Sequence, residues 1–208
     1  MEIKDGYKLG DLDKNTWPAF EELFNKYNGV QNSCWCVYYH KRITNFRPRI
    51  KGNVENNHDL KKRLVEEGKS RSVLVFKGEL VVASCQYGTF DELPRIENAE
   101  RYLNVRQKHG NGKKWRITCF FVDTPERHKG LAKLALDGAL DRIARNGGGL
   151  VEAYPVTRKN TVEVWFGSAG MFLERGFQVV SKFGSNNLLV QRIVEPYARR
   201  GENDRSRE

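Results

Sequence analysis

Residues 15 to 28, NTWPAFEELFNKYN, place Trp17, Phe20, Leu23, Phe24 and Tyr27 at intervals of three and four. That is the period of one helix face. Asn15 or Thr16 is the expected N-cap, and Pro18 falls in the first turn, where its missing N–H costs nothing. A second, shorter helix is predicted over 58 to 70, HDLKKRLVEEGKS, stopping at Gly68. The run RSVLVFKGELVVASCQYG, 71 to 88, is two β-rich segments about Lys77-Gly78-Glu79, the signature of a hairpin. WRITCFFV, 115 to 122, leans apolar on both faces and reads as a central strand. From Leu131 to Ala144 the chain is apolar almost all round. Lys133, Asp137, Asp141 and Arg145 form one narrow polar stripe, so this helix is expected to lie buried on a sheet.

The remaining pattern completes the order. GGGLVEAYPV, 147 to 156, is a glycine stop and a strand. GSAGMFLERGF, 167 to 177, is a short helix with Ser168 as cap and Gly176 as stop. QVVSKFGSNNLLVQRIV, 178 to 194, is a hairpin about Gly184-Ser185-Asn186. Between these lie the aromatic NSCWCVYYHK (32 to 41), the basic loop KRITNFRPRIKGN (41 to 53), the long polar segment 90 to 114 and the loop TRKNTVEVW. Helix, helix, hairpin, strand, helix, strand, helix, hairpin predicts an α/β chain of the α+β type. Its mixed sheet carries helices on both faces. One domain spans 1 to 194, and 195 to 208 is expected to fray as a polar tail.

Charge adds a constraint. Of 208 residues, 36 are Lys or Arg and 26 Asp or Glu, leaving +10. Such a balance suits an anionic partner: nucleic acid, a phosphorylated cofactor or an acidic surface. Cys34, Cys36, Cys85 and Cys119 do not form a secreted disulfide framework. The N-terminal MEIKDGYKLGDL has no signal-peptide core, and no apolar run nears the roughly 20 residues of a membrane span. A reduced, cytoplasmic protein is expected. Cys34-Trp35-Cys36 lacks the second ligand pair of a closed zinc site, and His40, His58, His109 and His128 are scattered, so no metal is expected.

The chemistry concentrates after the central strand. Val122 ends it, Asp123-Thr124-Pro125-Glu126 turns, and Arg127-His128-Lys129-Gly130-Leu131-Ala132 opens the helix. Free N–H groups at a helix start attract anions, and basic side chains would otherwise be disfavoured there. Gly130 and Ala132 let a ligand approach the backbone, and Arg127 and Lys129 can add charge-assisted bonds. This reads as a pyrophosphate seat. Neither the ATP-type G-x-x-x-x-G-K-[ST] nor the dinucleotide G-x-G-x-x-G is present.

V-x-x-x-x-R-x-x-G-x-A, Val122 to Ala132, resembles the acyl-CoA loop of the GNAT acetyltransferases. WRITCFFV before it, VEAYPV and GSAGMFLERGFQVV after it, and CWCVYY and FKGELVVASCQYG ahead of it resemble one branch of that superfamily in the same order. The likeness covers about residues 7 to 194. It implies the GNAT fold, with two central parallel strands, WRITCFFV and GLVEAYPV, splaying around acetyl-CoA. It implies pantetheine along Phe120, Phe121 and Val122, and pyrophosphate on Arg127, His128, Lys129, Gly130, Leu131 and Ala132. Gly167, Ser168 and Met171 would border the thioester.

The implied reaction is direct acetyl transfer to a primary amine of a small molecule or protein. The amine must lose its proton before attack. Many members place a tyrosine acid four residues before the glycine of a Gly-Phe pair. Here that glycine is Gly176 and the position is Phe172, so the usual acid is missing. Ser168, Tyr154 and Cys119 are the substitutes. Asp123 and Glu152 are the candidate bases, Glu152 because a carboxylate in an apolar strand is costly to bury. Asp91, Glu92 and Glu97 would either draw a cationic amine or form a solvated face. A monomer or homodimer is expected, acting on neither nucleic acid nor membrane. Two alternatives stay open: a catalytically weak acyl-CoA-binding sensor, and a basic nucleic-acid-binding module, which lacks any recognised motif.

Overall fold

The computed structural model describes residues 3–4, 6–30, 33–41, 54–97, 99–106, 112–157, 164–183 and 186–198. The strands are β1 (Ile3–Lys4), β2 (Tyr7–Asp11), β3 (Arg71–Lys77), β4 (Leu80–Thr89), β5 (Lys114–Val122), β6 (Gly149–Ala153), β7 (Gln178–Phe183) and β8 (Asn187–Val194). The helices are α1 (Trp17–Asn25), α2 (Val54–Glu66), α3 (Glu100–Leu103), α4 (Leu131–Arg145) and α5 (Ala169–Leu173). All eight strands form one sheet in the order β1-β2-β3-β4-β5-β6-β8-β7. The β5–β6 pair is parallel, and the other pairings are antiparallel.

Alternation along the strands sorts the two faces. On β3, Val73 and Val75 join the core beneath α4, and Leu74 joins the core beneath α1. The α4 side gathers Ala135, Leu136, Ala139 and Ile143 with Phe120, Phe172 and Phe177. The α1 side gathers Trp17, Phe20, Leu23 and Phe24 with Trp35, Val65 and Phe121. Burying each such large apolar side chain stabilises by about 1.5–3 kcal/mol. Small residues let α4 lie close: a Cβ on Gly138 would meet Val73 at 2.9 Å.

The predicted helices and hairpins form with shifted ends, and three details differ from expectation. Tyr7–Asp11 is a strand the pattern did not announce, because only Tyr7 and Leu9 carry its buried face. Neither Thr16 nor Ser168 makes a side-chain cap bond at its helix. Asp13 instead takes the N–H groups of Asn15 and Thr16 at 2.7 and 2.9 Å. The tail is held at Tyr197, whose hydroxyl donates to Asp141 (2.7 Å) and whose N–H donates to Ala144 O (3.2 Å). The basic stretch 42–53, the turn residues Gly184 and Ser185 and the tail 199–208 lie outside the described residues.

Candidate active site

The sheet opens where an extra residue enters β5. Cys119 pairs with Gln86 and Ile117 with Tyr87, leaving Thr118 without a partner on β4. Such a bulge bends its strand and raises the local twist. Pairing with β6 ends at the same place, at Ile117 opposite Ala153, while pairing with β4 continues to Val122 opposite Ala83. Thr118 donates to Gln86 Oε1 at 3.1 Å and so ties the bulge to β4. Residues 118 to 122 therefore present one backbone edge that β6 does not cover. Phe120, Phe121 and Val122, predicted to meet pantetheine, lie on this length. Trp165 stacks on Phe121 (6.5 Å, 10°), and its indole N–H is buried with no acceptor among the described residues. A buried donor left unpaired is a group that a bound carbonyl would satisfy.

The loop after β5 is built around Glu126. Its carboxylate is buried and accepts from Lys77 (2.8 Å), Tyr7 (2.7 Å) and Lys129 (2.9 Å). These three bonds, Lys77 first, hold its pKa down at about 2. His128 (φ +64°) and Gly130 (φ +78°) are left-handed, and Gly130 is the N-cap of α4 without a side-chain cap. The first helical bond runs from Leu134 N–H to Gly130 O, so the N–H groups of Leu131, Ala132 and Lys133 precede it. Nothing lies within 4 Å of a Cβ built on Gly130. An anion fits here through main-chain donors. The basic side chains act differently from the sequence expectation: Lys129 turns to Glu126, and Arg127 Nε leans on Val122 O at 3.4 Å. A groove of about 790 Å³ starts at Lys129, Gly130 and Leu131 and runs along α4 toward Arg142 and Arg145, outside the parted strands.

On the opposite face, β5 and β6 carry a buried polar network. Arg116 and Glu152, cross-strand partners, are both fully buried. Glu152 accepts from Tyr102 (2.8 Å), Tyr154 (2.9 Å) and Gln191 (2.7 Å). Arg116 donates to Tyr154 (2.9 Å), to Leu93 O (2.8 Å) and to Glu97, and its guanidinium lies 3.6 Å from the Phe90 ring centroid. Tyr154 thus links the two charges, and burial raises its pKa well above the usual tyrosine value. It stands just past the last β5–β6 rung, packed with Tyr39 and Cys119.

Of the predicted catalytic residues, the structure brings Glu152, Tyr154 and Cys119 together and leaves two apart. Asp123 accepts from Lys26 at 2.9 Å and from the Tyr27 hydroxyl. Burial raises its pKa, but those bonds outweigh it and hold the carboxyl low. Ser168 is exposed at the start of α5. Gly167 and Ala169 bond the backbone of Val156 (3.0 and 3.1 Å), and Met171 is buried beside Gly167. Phe172 is core, packed between Phe120 and Phe177. Glu92 pairs with Arg71 and Glu97 with Arg116.

Sequence reasoning missed Arg116, Tyr102 and Gln191. The usable signal was a charge inside each of two otherwise apolar strands, WRITCFFV and GLVEA. It also missed the cluster of His40, Lys61, Gln86, Cys36 and Cys119, which four segments assemble. His40 Nδ1–H donates to Glu92 O (2.8 Å), so its Nε2 accepts from Gln86 (2.8 Å) and Ser70 (3.1 Å). Burial, then the Lys61 charge, pushes its pKa down to about 3.

No protein-family model and no curated protein matches the sequence. Solved structures do match its fold. A ribosomal-protein-S5-alanine acetyltransferase from Vibrio fischeri superposes with a TM-score of 0.56 at 11% identity, covering 95% of this chain and 98% of that one. An N-acetyltransferase from Staphylococcus aureus Mu50 gives 0.52 at 12%, covering 91% and 99%. An acetyltransferase structure from Salmonella typhimurium, solved with its cofactor acetyl-CoA, gives 0.52 at 16%, covering 93% and 97%. At these identities the likeness establishes the fold, and that fold is the GNAT fold.

Proposed function

We propose that this chain is an N-acetyltransferase that moves an acetyl group from acetyl-CoA to a primary amine of a small molecule or protein in a ternary complex. The observation that carries this reading is the parting of β5 from β6 at Thr118, beside the uncapped, glycine-started α4. Bound acetyl-CoA supplies an activated acyl thioester. The N–H groups of Leu131 and Ala132 bind its phosphates, the open edge of residues 120 to 122 aligns its amide arm, and Trp165 N–H supplies a further donor. Tyr154 and Glu152 handle the proton of the attacking amine: the hydroxyl receives it as its own proton moves to Glu152 across 2.9 Å. The Arg116 guanidinium at the same oxygen stabilises the phenolate character that develops. Cytoplasmic residence and indifference to nucleic acid belong to this proposal. No helix among the described residues is long and apolar enough to cross a membrane.

Calorimetric titration with acetyl-CoA, with Gly130→Glu as control, tests the donor site. Micromolar binding that weakens at least about tenfold in the variant supports it, and no binding by the parent protein overturns it. Free-thiol release across a panel of amines then tests turnover. Phe172, closed into the core where many GNAT enzymes carry their acid, favours one second reading: an acyl-CoA-binding protein with little turnover. Binding without thiol release would select it.

A further inference from the structure

Three of the four cysteines meet on the α1 side of the sheet, around a buried lysine. Lys61 is fully buried, and its Nζ donates to Ser70 Oγ at 2.7 Å. No carboxylate pairs with it among the described residues; the acidic groups beside it are the thiols of Cys36, Cys119 and Cys34. Burial lowers the Lys61 pKa and the neighbouring thiols oppose that shift, so a proton kept on Lys61 is balanced by a thiolate, the anion available there. Cys36 is the sulfur placed for that role. Cys36 packs against the buried cluster that holds Cys119, and the neighbouring Cys119 thiol and the Lys61 charge favour its ionisation more than burial opposes it, so Cys36 lies below the ordinary thiol range. Its Cys36 neighbour first, and then burial, raise Cys119 well above it.

Position is enforced from several sides. Gln86, the β4 partner of Cys119, donates its amide to Cys36 O at 2.9 Å. Ser33, Trp35 and Cys36 all hold positive φ (+57°, +50°, +54°), a conformation that persists only where surrounding contacts over-determine it. Cys36 stays partly exposed, while Cys119 is buried. Burial first, then the neighbouring Cys36, raises the Cys34 thiol above the ordinary range. The other polar groups facing the pair are His40, Thr118 and Tyr39.

We propose that Cys36 and Cys119 form a hydroperoxide-reactive pair, in which Cys36 is the attacking thiolate and Cys119 the resolving thiol. In the first step the Cys36 sulfur attacks one peroxide oxygen. The O–O bond breaks, sulfur is oxidised to sulfenic acid and the other oxygen leaves as hydroxide or alkoxide. In the second step the Cys119 thiol attacks that sulfur. The S–S bond forms, the S–O bond breaks and water leaves with the thiol proton. The product staples the Cys36 segment to the parted length of β5. This inference does not depend on acyl transfer.

The test exposes the reduced protein to hydrogen peroxide, blocks remaining thiols and maps peptides by mass spectrometry. The expected first product links the Cys36 and Cys119 peptides. In Cys119→Ser, dimedone should trap a sulfenic acid on Cys36. In Cys36→Ser, Cys119 should stay reduced. Lys61→Met should slow oxidation about tenfold or more, and Lys61→Arg should restore most of the rate. If either lysine variant melts early, the two cysteine variants decide. A first-formed link to Cys34, oxidation of Cys119 in Cys36→Ser, or oxidation no faster than that of free cysteine overturns the proposal.

Discussion

The two faces of the parted strand β5 work by opposite means. On the α4 face, the loop 123 to 132 offers main-chain N–H groups, and its basic side chains are spent holding the loop or lie exposed. On the α1 face, the proposed chemistry uses buried side chains, with Arg116, Glu152, Tyr102 and Tyr154 closed into one network and Cys36, Cys119 and Lys61 gathered in another cluster. A main-chain site tolerates change in side chains but not in backbone shape. A buried side-chain network tolerates little change in any member, because each removal strands a charge or a hydrogen bond.

The sharpest way to break this contrast is Arg116→Met. Removing one member of a buried charge network should cost about 3–5 kcal/mol, read as a lower urea midpoint at unchanged slope. A loss below about 1 kcal/mol would mean that the network does not bear on stability. Tyr154→Phe comes next. It takes the acceptor from Arg116 Nε, while Glu152 Oε2 keeps Tyr102, at about 1–3 kcal/mol, and should lower turnover about a hundredfold with acetyl-CoA binding retained. On the other face, Gly130→Glu should cost about 1–2 kcal/mol from the left-handed backbone, with its larger effect on cofactor affinity. Ser168→Ala should change stability by no more than about 0.5 kcal/mol, since its side chain caps nothing and is exposed.

Acid separates the two faces as well. His40 has a folded pKa of about 3 against an ordinary 6.5, so the unfolded chain takes the proton first. Its contribution is complete above 6.5 and drains as pH falls toward 3. Glu126, at about 2 against 4.5, contributes fully above 4.5 and loses its contribution as pH falls toward 2. Stability measured against pH should therefore decline in two limbs. His40→Gln should remove the upper limb and Glu126→Gln the lower, and a single limb unaffected by His40→Gln would break the assignment.

How legible each part was follows from how local its cause is. The loop from Val122 to Ala132 was readable because eleven consecutive residues contain the turn, the glycine and the helix start. The roles of Lys129 and Glu126 were not, because Tyr7 and Lys77 come from distant strands. Glu152 was suspected from the cost of burying a carboxylate, but its three donors lie on α3, beyond β6 and on β8. The bulge at Thr118 left no trace in WRITCFFV, since register is a property of the strand pair.

The sequence by itself determined the element order, the buried character of α4, the central strand and a loop shaped for an anion, because periodicity, capping and turn chemistry act over a few neighbouring residues. Only the tertiary structure decided where β5 leaves β6, which carboxylates are already occupied, and that Cys36, Cys119 and Lys61 meet. Those facts depend on contacts between residues far apart in the chain, and burial and charge take effect only once the sheet has brought them together.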